Sequence, residues 1–318
     1  MEEFSRDLSP EQIARLLPLQ LESPPAAAPL VIDAALVRHW SEAFEDAAAL
    51  DGVSVPLGAI LSTFALPYRW PAGTGERNLH FEVKEILGYP SAIISQIEVE
   101  QPGSAHIGDG LQISQRLLSV SARRQSRLGS GRFWTFERLY RRGDGELVAL
   151  QRMTAFGYGE PPVDAPGRGA VQPLVEQRIG SIAGVAAAVP KEEIVVGTVL
   201  PELCVPVTLL RCLYVASASR DFGPQHCDAE YAAETRAGKV FVSSPFLIGM
   251  VGRHLTDWAG PRVKIARLTL ALDRSIHVGD EMRIGGRVTV VRAEQIELEI
   301  TISVGTEVAV RGTASLRV

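Results

Sequence analysis

The eleven-residue segment His106-Ile107-Gly108-Asp109-Gly110-Leu111-Gln112-Ile113-Ser114-Gln115-Arg116 returns as His277-Val278-Gly279-Asp280-Glu281-Met282-Arg283-Ile284-Gly285-Gly286-Arg287. Each copy has a Gly-Asp turn followed by alternating residues, so the repeat is a structural unit and the chain holds two halves built to one plan. In the second half Ile296, Leu298, Ile300 and Ile302 keep a period of two. Val308 and Val310 resume it after Gly305-Thr306, the pattern of half-buried antiparallel strands. In the first half a strand runs from Gly108-Asp109 to about Val120, and another from Phe133 to Tyr140. Arg142-Gly143-Asp144-Gly145 then makes a hairpin turn into Leu147 to Phe156.

Upstream of each ladder lies an apolar stretch compatible with a helix. The clearer runs from Phe246 to Trp258, where Leu247, Met250, Val251, His254 and Leu255 share a face. Ser243, Ser244 and Pro245 are good helix-start residues. Gly249 and Gly252 weaken the helix locally but permit strands to approach it closely. The expected class is α+β, with each repeat a central helix wrapped by a curved antiparallel sheet. The expected division is a first domain over 1–160, a linker over 161–190 that opens on the Pro/Gly-rich run Glu160 to Gly169, and a second domain over 191–318. Ser9-Pro10 predicts a short helix to about Leu17, and Ser23-Pro24-Pro25 a lead-in.

Between these elements lies Arg220-Asp221-Phe222-Gly223-Pro224-Gln225-His226-Cys227-Asp228. A carboxylate and an imidazole stand five residues apart around a Gly-Pro break that stops helical continuity, so both can turn into one cavity. Such a pair suits proton transfer at a carbon next to a thioester or ketone. The plainer alternative is that Asp221 caps a turn and His226 is a satisfied, half-buried histidine. Asp228 reads as the N-cap of a helix through Ala229-Glu230-Tyr231-Ala232-Ala233.

A formal net charge of -5 and a pI near 5.8 argue against a general nucleic-acid binder. With no long apolar run and no signal-peptide pattern at Met1-Glu2-Glu3-Phe4, the expectation is a cytoplasmic protein without a membrane partner. Cys204, Cys212 and Cys227 form no CxxC pair and read as reduced thiols. The remaining histidines, His39, His80, His106, His254 and His277, show no metal-ligand spacing, so neither metal nor cofactor is expected. Arg123, Arg124, Arg127, Arg132, Arg138, Arg141, Arg142 and Arg152 suit a phosphate or a carrier protein's acidic surface, but also a solvated strand face with charged edges.

The Asp221-x-x-Pro224-x-His226-x-Asp228 run, Leu255-Thr256-Asp257-Trp258-Ala259-Gly260 and His277-Val278-Gly279-Asp280 together resemble the MaoC-like enoyl-CoA hydratase/dehydratase family, whose fold is the hot-dog. The resemblance implies a double hot-dog in which Asp221 and His226 are the catalytic pair for syn addition or loss of water at a 2-enoyl or 3-hydroxyacyl thioester of CoA or a carrier protein. Which residue acts as acid and which as base stays open.

It further implies a backbone oxyanion site at Ser243 or Ser244, the Ser244 N–H being the candidate donor, although either serine could simply cap the helix. A homodimer is implied as well. Gly223 stands where the family has asparagine and Arg220 where it has glycine, so Gly223 marks the substrate-binding turn as altered. Cyclisation or isomerisation on the same scaffold, thioester hydrolysis, or a non-catalytic partner subunit are the other readings. Ala43-Phe44-Glu45-Asp46 matches Ala218-Ser219-Arg220-Asp221, yet no histidine follows Asp46 at the same spacing, so the first half is expected to be catalytically silent. An interrupted central helix at Ala65 to Pro71 is expected to make room there for a bulky acyl group.

Overall fold

A computed structural model describes residues 8–22, 31–47, 55–64, 78–159, 179–184, 188–235, 237–261 and 263–318. The elements of the first half are α1 (Pro10–Ala14), β1 (Gln20–Glu22), α2 (Ala34–Phe44), α3 (Leu57–Leu61), α4 (Leu79–Ile86), β2 (Ser91–Glu100), β3 (Leu111–Val120), β4 (Arg124–Ser126), β5 (Gly129–Arg142) and β6 (Leu147–Tyr158). Those of the second are β7 (Val199–Pro206), α5 (Leu209–Ser219), α6 (Pro224–Cys227), α7 (Ala229–Glu234), α8 (Ser244–Ala259), β8 (Lys264–Leu272), β9 (Glu281–Arg292), β10 (Gln295–Val304) and β11 (Glu307–Arg317).

The repeated turn explains why the halves match. Gly108 and Gly279 take φ of 102° and 101°, a region that only glycine enters without strain. Asp109 and Asp280 each accept, through Oδ2, from the N–H of the preceding histidine at 2.8 Å. The Gly108 N–H donates to Ile32 O and the Gly279 N–H to Val207 O. Ile32 and Val207 each directly precede the N-cap of a helix, Asp33 for α2 and Thr208 for α5. One sequence signature therefore sets a turn, a strand start and a helix start in both halves.

The strands form one antiparallel sheet in the order β1-β3-β5-β6-β2-β8-β11-β10-β9-β7, with β4 on β5. The order is a near palindrome about the β2–β8 pair, where Ile97 faces Leu270 and Val99 faces Leu268. Glu98 on β2 pairs with Arg267 on β8 and, at 2.9 Å, with Arg152 on β6, tying the join electrostatically as well. The fold is a double hot-dog of α+β class, as expected.

Central helix α8 caps on Ser243 and runs sixteen residues, while α4 runs eight; each ends four residues before its strand begins. The interruption expected over 65–71 lies outside the described residues, as do residues 161–178 and 185–187 of the expected linker and the lead-in at 23–25. The described parts of that linker lie on the second half: Ala183 exchanges backbone hydrogen bonds with Cys204, and the Val189 N–H donates to Trp258 O. Among the described residues no helix is long and apolar enough to cross a membrane.

Gly249 serves close approach, but to a helix rather than a strand. A Cβ there would overlap the ring of Phe44 on α2, which stacks on Trp40 at 4.1 Å. At Gly252, by contrast, a Cβ would meet Ile265 Cδ1 at an ordinary 3.5 Å. Gly249→Ala is therefore expected to destabilise by about 1–3 kcal/mol through overpacking. Gly252→Ala should stabilise by up to about 1 kcal/mol, because alanine is the better helix former. Urea midpoints of the two variants test this; shifts of the same sign would contradict it.

Candidate active site

Helix α5 ends on Arg220, whose φ of 60° is left-handed, a conformation that turns the chain sharply but costs an L-residue on the order of 1 kcal/mol. Arg220 thus occupies a glycine-like position with a side chain. Ser219, the last helical residue, donates its hydroxyl to Val215 O at 2.7 Å and accepts from the Asp221 N–H at 3.4 Å. Asp221 Oδ1 accepts from the Gly223 N–H at 3.4 Å. Pro224 then opens the single turn α6, whose third residue is His226.

The imidazole is oriented by a backbone carbonyl. His226 Nδ1 lies 2.9 Å from Phe241 O, and the Phe241 ring stands edge-on to it at 4.7 Å. A carbonyl can only accept, so Nδ1 carries the proton and Nε2 presents its lone pair. The side-chain amide of Gln225 donates to Nε2 at 3.1 Å. Gly223 has an unremarkable φ of -54°, so backbone strain does not require glycine there. Nor does space forbid a side chain: a Cβ would meet Gln225 Nε2 at 2.8 Å, the movable end of a flexible side chain, and His226 Cδ2 at 3.1 Å. Gly223 therefore leaves room for the Gln225 amide to fold back onto the histidine, and it is not among the residues lining the cavity.

Cys227 donates to Gly223 O at 3.4 Å, and burial together with Asp221 and Asp228 raises its pKa. Its thiolate is disfavoured, which makes Cys227 a poor nucleophile. Asp228 caps α7, its Oδ1 accepting from the N–H groups of Glu230 and Tyr231.

At the start of α8 the two serines divide. Ser243 is the N-cap, and its Oγ accepts from the Phe246 N–H. Ser244 lines the cavity as the first helical residue. Pro245 has no N–H and the Phe246 N–H is taken, so among the first three helical positions Ser244 supplies the remaining backbone donor, at the positive end of the helix dipole.

Asp221, His226 and Ser244 share a cavity of about 670 Å³ whose wall crosses into the first half, with Trp40, Leu61, Phe64, Ile93, Ile94, Phe136 and Met153 among its apolar lining. Gln225, Phe241 and His277 also line it and were not singled out by sequence. The strict repeat turn was the available signal for His277; Gln225 carries none beyond its adjacency to His226.

In the first half Glu45 reproduces the left-handed helix end of Arg220, with φ 52°, and Asp46 follows it, buried and outside the cavity lining. The arginine group disperses. Arg132 donates to Ser121 O and Leu8 O, Arg152 pairs with Glu98 and Glu137, Arg142 pairs with Asp144 and Glu146, and Arg138 points inward.

His254, on α8, is buried away from the cavity, and its Nε2 has no hydrogen-bond partner. Burial, with the neighbouring Arg253 charge, lowers its pKa from 6.5 to about 4. Between those two values the unfolded chain takes a proton that the folded chain refuses, so His254 makes stability fall as pH falls. From pH 7 to pH 5 the loss is about 2 kcal/mol, and His254→Met should remove it. Denaturation of both proteins at the two pH values measures the difference; parallel pH dependence would contradict it.

No protein-family model matches the chain. It is 34% identical over 106 residues to the 3-oxo-4,17-pregnadiene-20-carboxyl-CoA hydratase beta subunit of Mycobacterium tuberculosis, covering 33% of this chain and 82% of that protein. The chain belongs to the MaoC-like hydratase/dehydratase family. A second relative is a probable enoyl-CoA hydratase alpha subunit of Thermomonospora curvata, 29% identical over 137 residues, which are 38% of this chain and 43% of that one. Among solved structures a MaoC-like dehydratase superposes with a TM-score of 0.72 at 18% identity, over 96% of this chain and 99% of its own, matching the double hot-dog from end to end.

Proposed function

We propose that this MaoC-like protein adds water to, or removes it from, a 2-enoyl/3-hydroxyacyl thioester of CoA or a carrier protein, with Asp221 and His226 as the proton-handling pair. The observation that carries the reading is the Phe241 carbonyl on His226 Nδ1, which leaves Nε2 basic on the wall of the cavity that Asp221 also lines. In hydration, an entering water displaces the Gln225 amide from Nε2 and is held between Nε2 and the Asp221 carboxylate. Nε2 takes a proton as the water oxygen bonds to C3, and the C2–C3 double-bond electrons move toward the thioester oxygen. The Ser244 N–H meets the developing oxyanion. The imidazolium then returns its proton to C2 on the same face, and dehydration runs the steps in reverse.

The sheet ends on β7, whose first residue Val199 is exposed together with Val195 and Val196 before it, and this apolar edge supports the reading that a second copy packs there, the homodimer that the resemblance implies. The test follows the conjugated-enoyl absorbance of short and bulky 2-enoyl-CoA esters together with free thiol. Loss of the double bond with the thioester intact is expected. Thiol release with the double bond retained would replace this reading with thioester hydrolysis.

A further inference from the structure

We infer that Asp280 is a positioning residue for the proposed chemistry: the turn it caps holds Asp221, His226 and Ser244 in one relative placement. This inference rests on the thioester reading above and says what keeps that site's geometry.

Asp280 Oδ2 accepts from the His277 N–H at 2.8 Å, and the Asp280 N–H closes the turn on His277 O at 3.0 Å. The turn then reaches two ways. On one side the Gly279 N–H donates to Val207 O and the Val207 N–H to Asp280 O, both at 2.9 Å. Val207 directly precedes Thr208, the N-cap of α5, and Asp221 stands two residues past Ser219, the last residue of that helix.

On the other side residues 276–278 hold residues 240–242. The Val242 N–H donates to Ile276 O and the Val278 N–H to Val240 O, both at 2.9 Å, and Phe241 bridges antiparallel to His277. Toward α6 the hold is looser, the Phe241 N–H reaching Gln225 O at 3.5 Å. Phe241 O is the acceptor that fixes the proton on His226 Nδ1, and Val242 leads straight into Ser243 and Ser244 at the start of α8. The Asp280 carboxylate therefore stands behind all three groups without lining the cavity itself.

A hydrogen bond to a carboxylate is charge-assisted and stronger than a neutral one, so its loss lets the turn relax. The site tolerates little of that, since displacing a reacting group by about 1 Å can cost on the order of 100-fold in rate. The first half supplies a matched control. Asp109 caps its own turn in the same way, with the Gly108 N–H on Ile32 O and the Ile32 N–H on Asp109 O. That turn leads through α2 to Asp46, which is outside the cavity lining.

The test compares Asp280→Ala with Asp109→Ala. It reads kcat on a 2-enoyl-CoA per folded molecule and, at a pH where imidazole is neutral, the nitrogen-15 shifts of the His226 ring, assigned by their loss in His226→Gln. Asp280→Ala should lower kcat by about tenfold or more with little change in KM. It should also bring the two ring nitrogens toward a common shift, as both tautomers become populated. Asp280→Asn, whose amide oxygen can still accept from the His277 N–H, should recover most of both. Asp109→Ala should lose comparable stability yet keep wild-type kcat and ring shifts. If Asp280→Ala does not fold, Asp280→Glu, which moves the carboxylate by one methylene, carries the same comparison. A single Nδ1–H tautomer in the folded Asp280 variant, or an equal fall of kcat in Asp109→Ala, would overturn the inference. Because the ring shifts are read without substrate, averaging in Asp280→Ala without enoyl hydration by the wild type would refute the chemistry and leave the positioning role standing, while hydration with an unmoved tautomer would do the opposite.

Discussion

Asp221→Asn and His226→Gln are each expected to lower kcat on a 2-enoyl thioester by on the order of 10²–10⁴-fold, the usual worth of a positioned proton-transfer group. The Asn retains an oxygen for the Gly223 N–H but gives up the negative charge proposed to orient the water. The Gln retains bulk near Phe241 O but lacks a basic nitrogen at the Nε2 position. Both side chains are only half-buried, so folding should be little affected. KM should change far less than kcat, because the losses fall on the transition state. The double variant should be little worse than the poorer single one if, as proposed, the two groups hold one water. Steady-state kinetics on folded variants decide this; wild-type kcat in either would remove that residue from the mechanism.

The largest stability effect is expected at Glu45, far from the chemistry. Its carboxylate reaches Arg211 Nη2 at 2.9 Å and Arg253 Nη1 at 3.9 Å, joining the end of α2 to α5 and α8. Arg211 is fully buried; its Nη2 also donates to Ile179 O and Gly180 O, while Nε and Nη1 have no hydrogen-bond partner. Arg253 has a second carboxylate, Asp257 at 3.1 Å, so the loss of Glu45 falls mainly on Arg211. Glu45→Gln should cost about 2–4 kcal/mol, somewhat below the usual figure for stranding a buried charge because Glu45 itself is about a third exposed. Adding Arg211→Met removes the stranded charge and should recover at least about half of the loss. A double-mutant cycle by chemical denaturation measures it; additive losses would show that the pair is not coupled.

Local signals in the sequence carried far in this protein. The His-x-Gly-Asp repeat named two matching units because its turn is made by residues within the motif, glycine φ and aspartate cap alike. Ser243 and Asp228 were readable as caps for the same reason. The fusion of β2 to β8 was not readable, because strand pattern sets which face is buried and not which edge meets which. Gly249 was assigned to the wrong kind of neighbour, since its partner Phe44 is some two hundred residues away. At the site, the Asp221–His226 spacing around Gly-Pro was legible. The proton position on His226 depends on Phe241 O, and the buried hydrogen-bonded cluster of Asn78, Arg138 and Gln151 draws on three elements. Neither arrangement leaves a periodic trace.

The most direct measurement is turnover of a 2-enoyl-CoA in heavy-oxygen water, read by mass spectrometry on the intact thioester. The account predicts a 3-hydroxyacyl-CoA that carries one heavy oxygen at C3 and a thioester that stays whole. Heavy oxygen appearing in a free carboxylic acid, with the double bond retained, would contradict it.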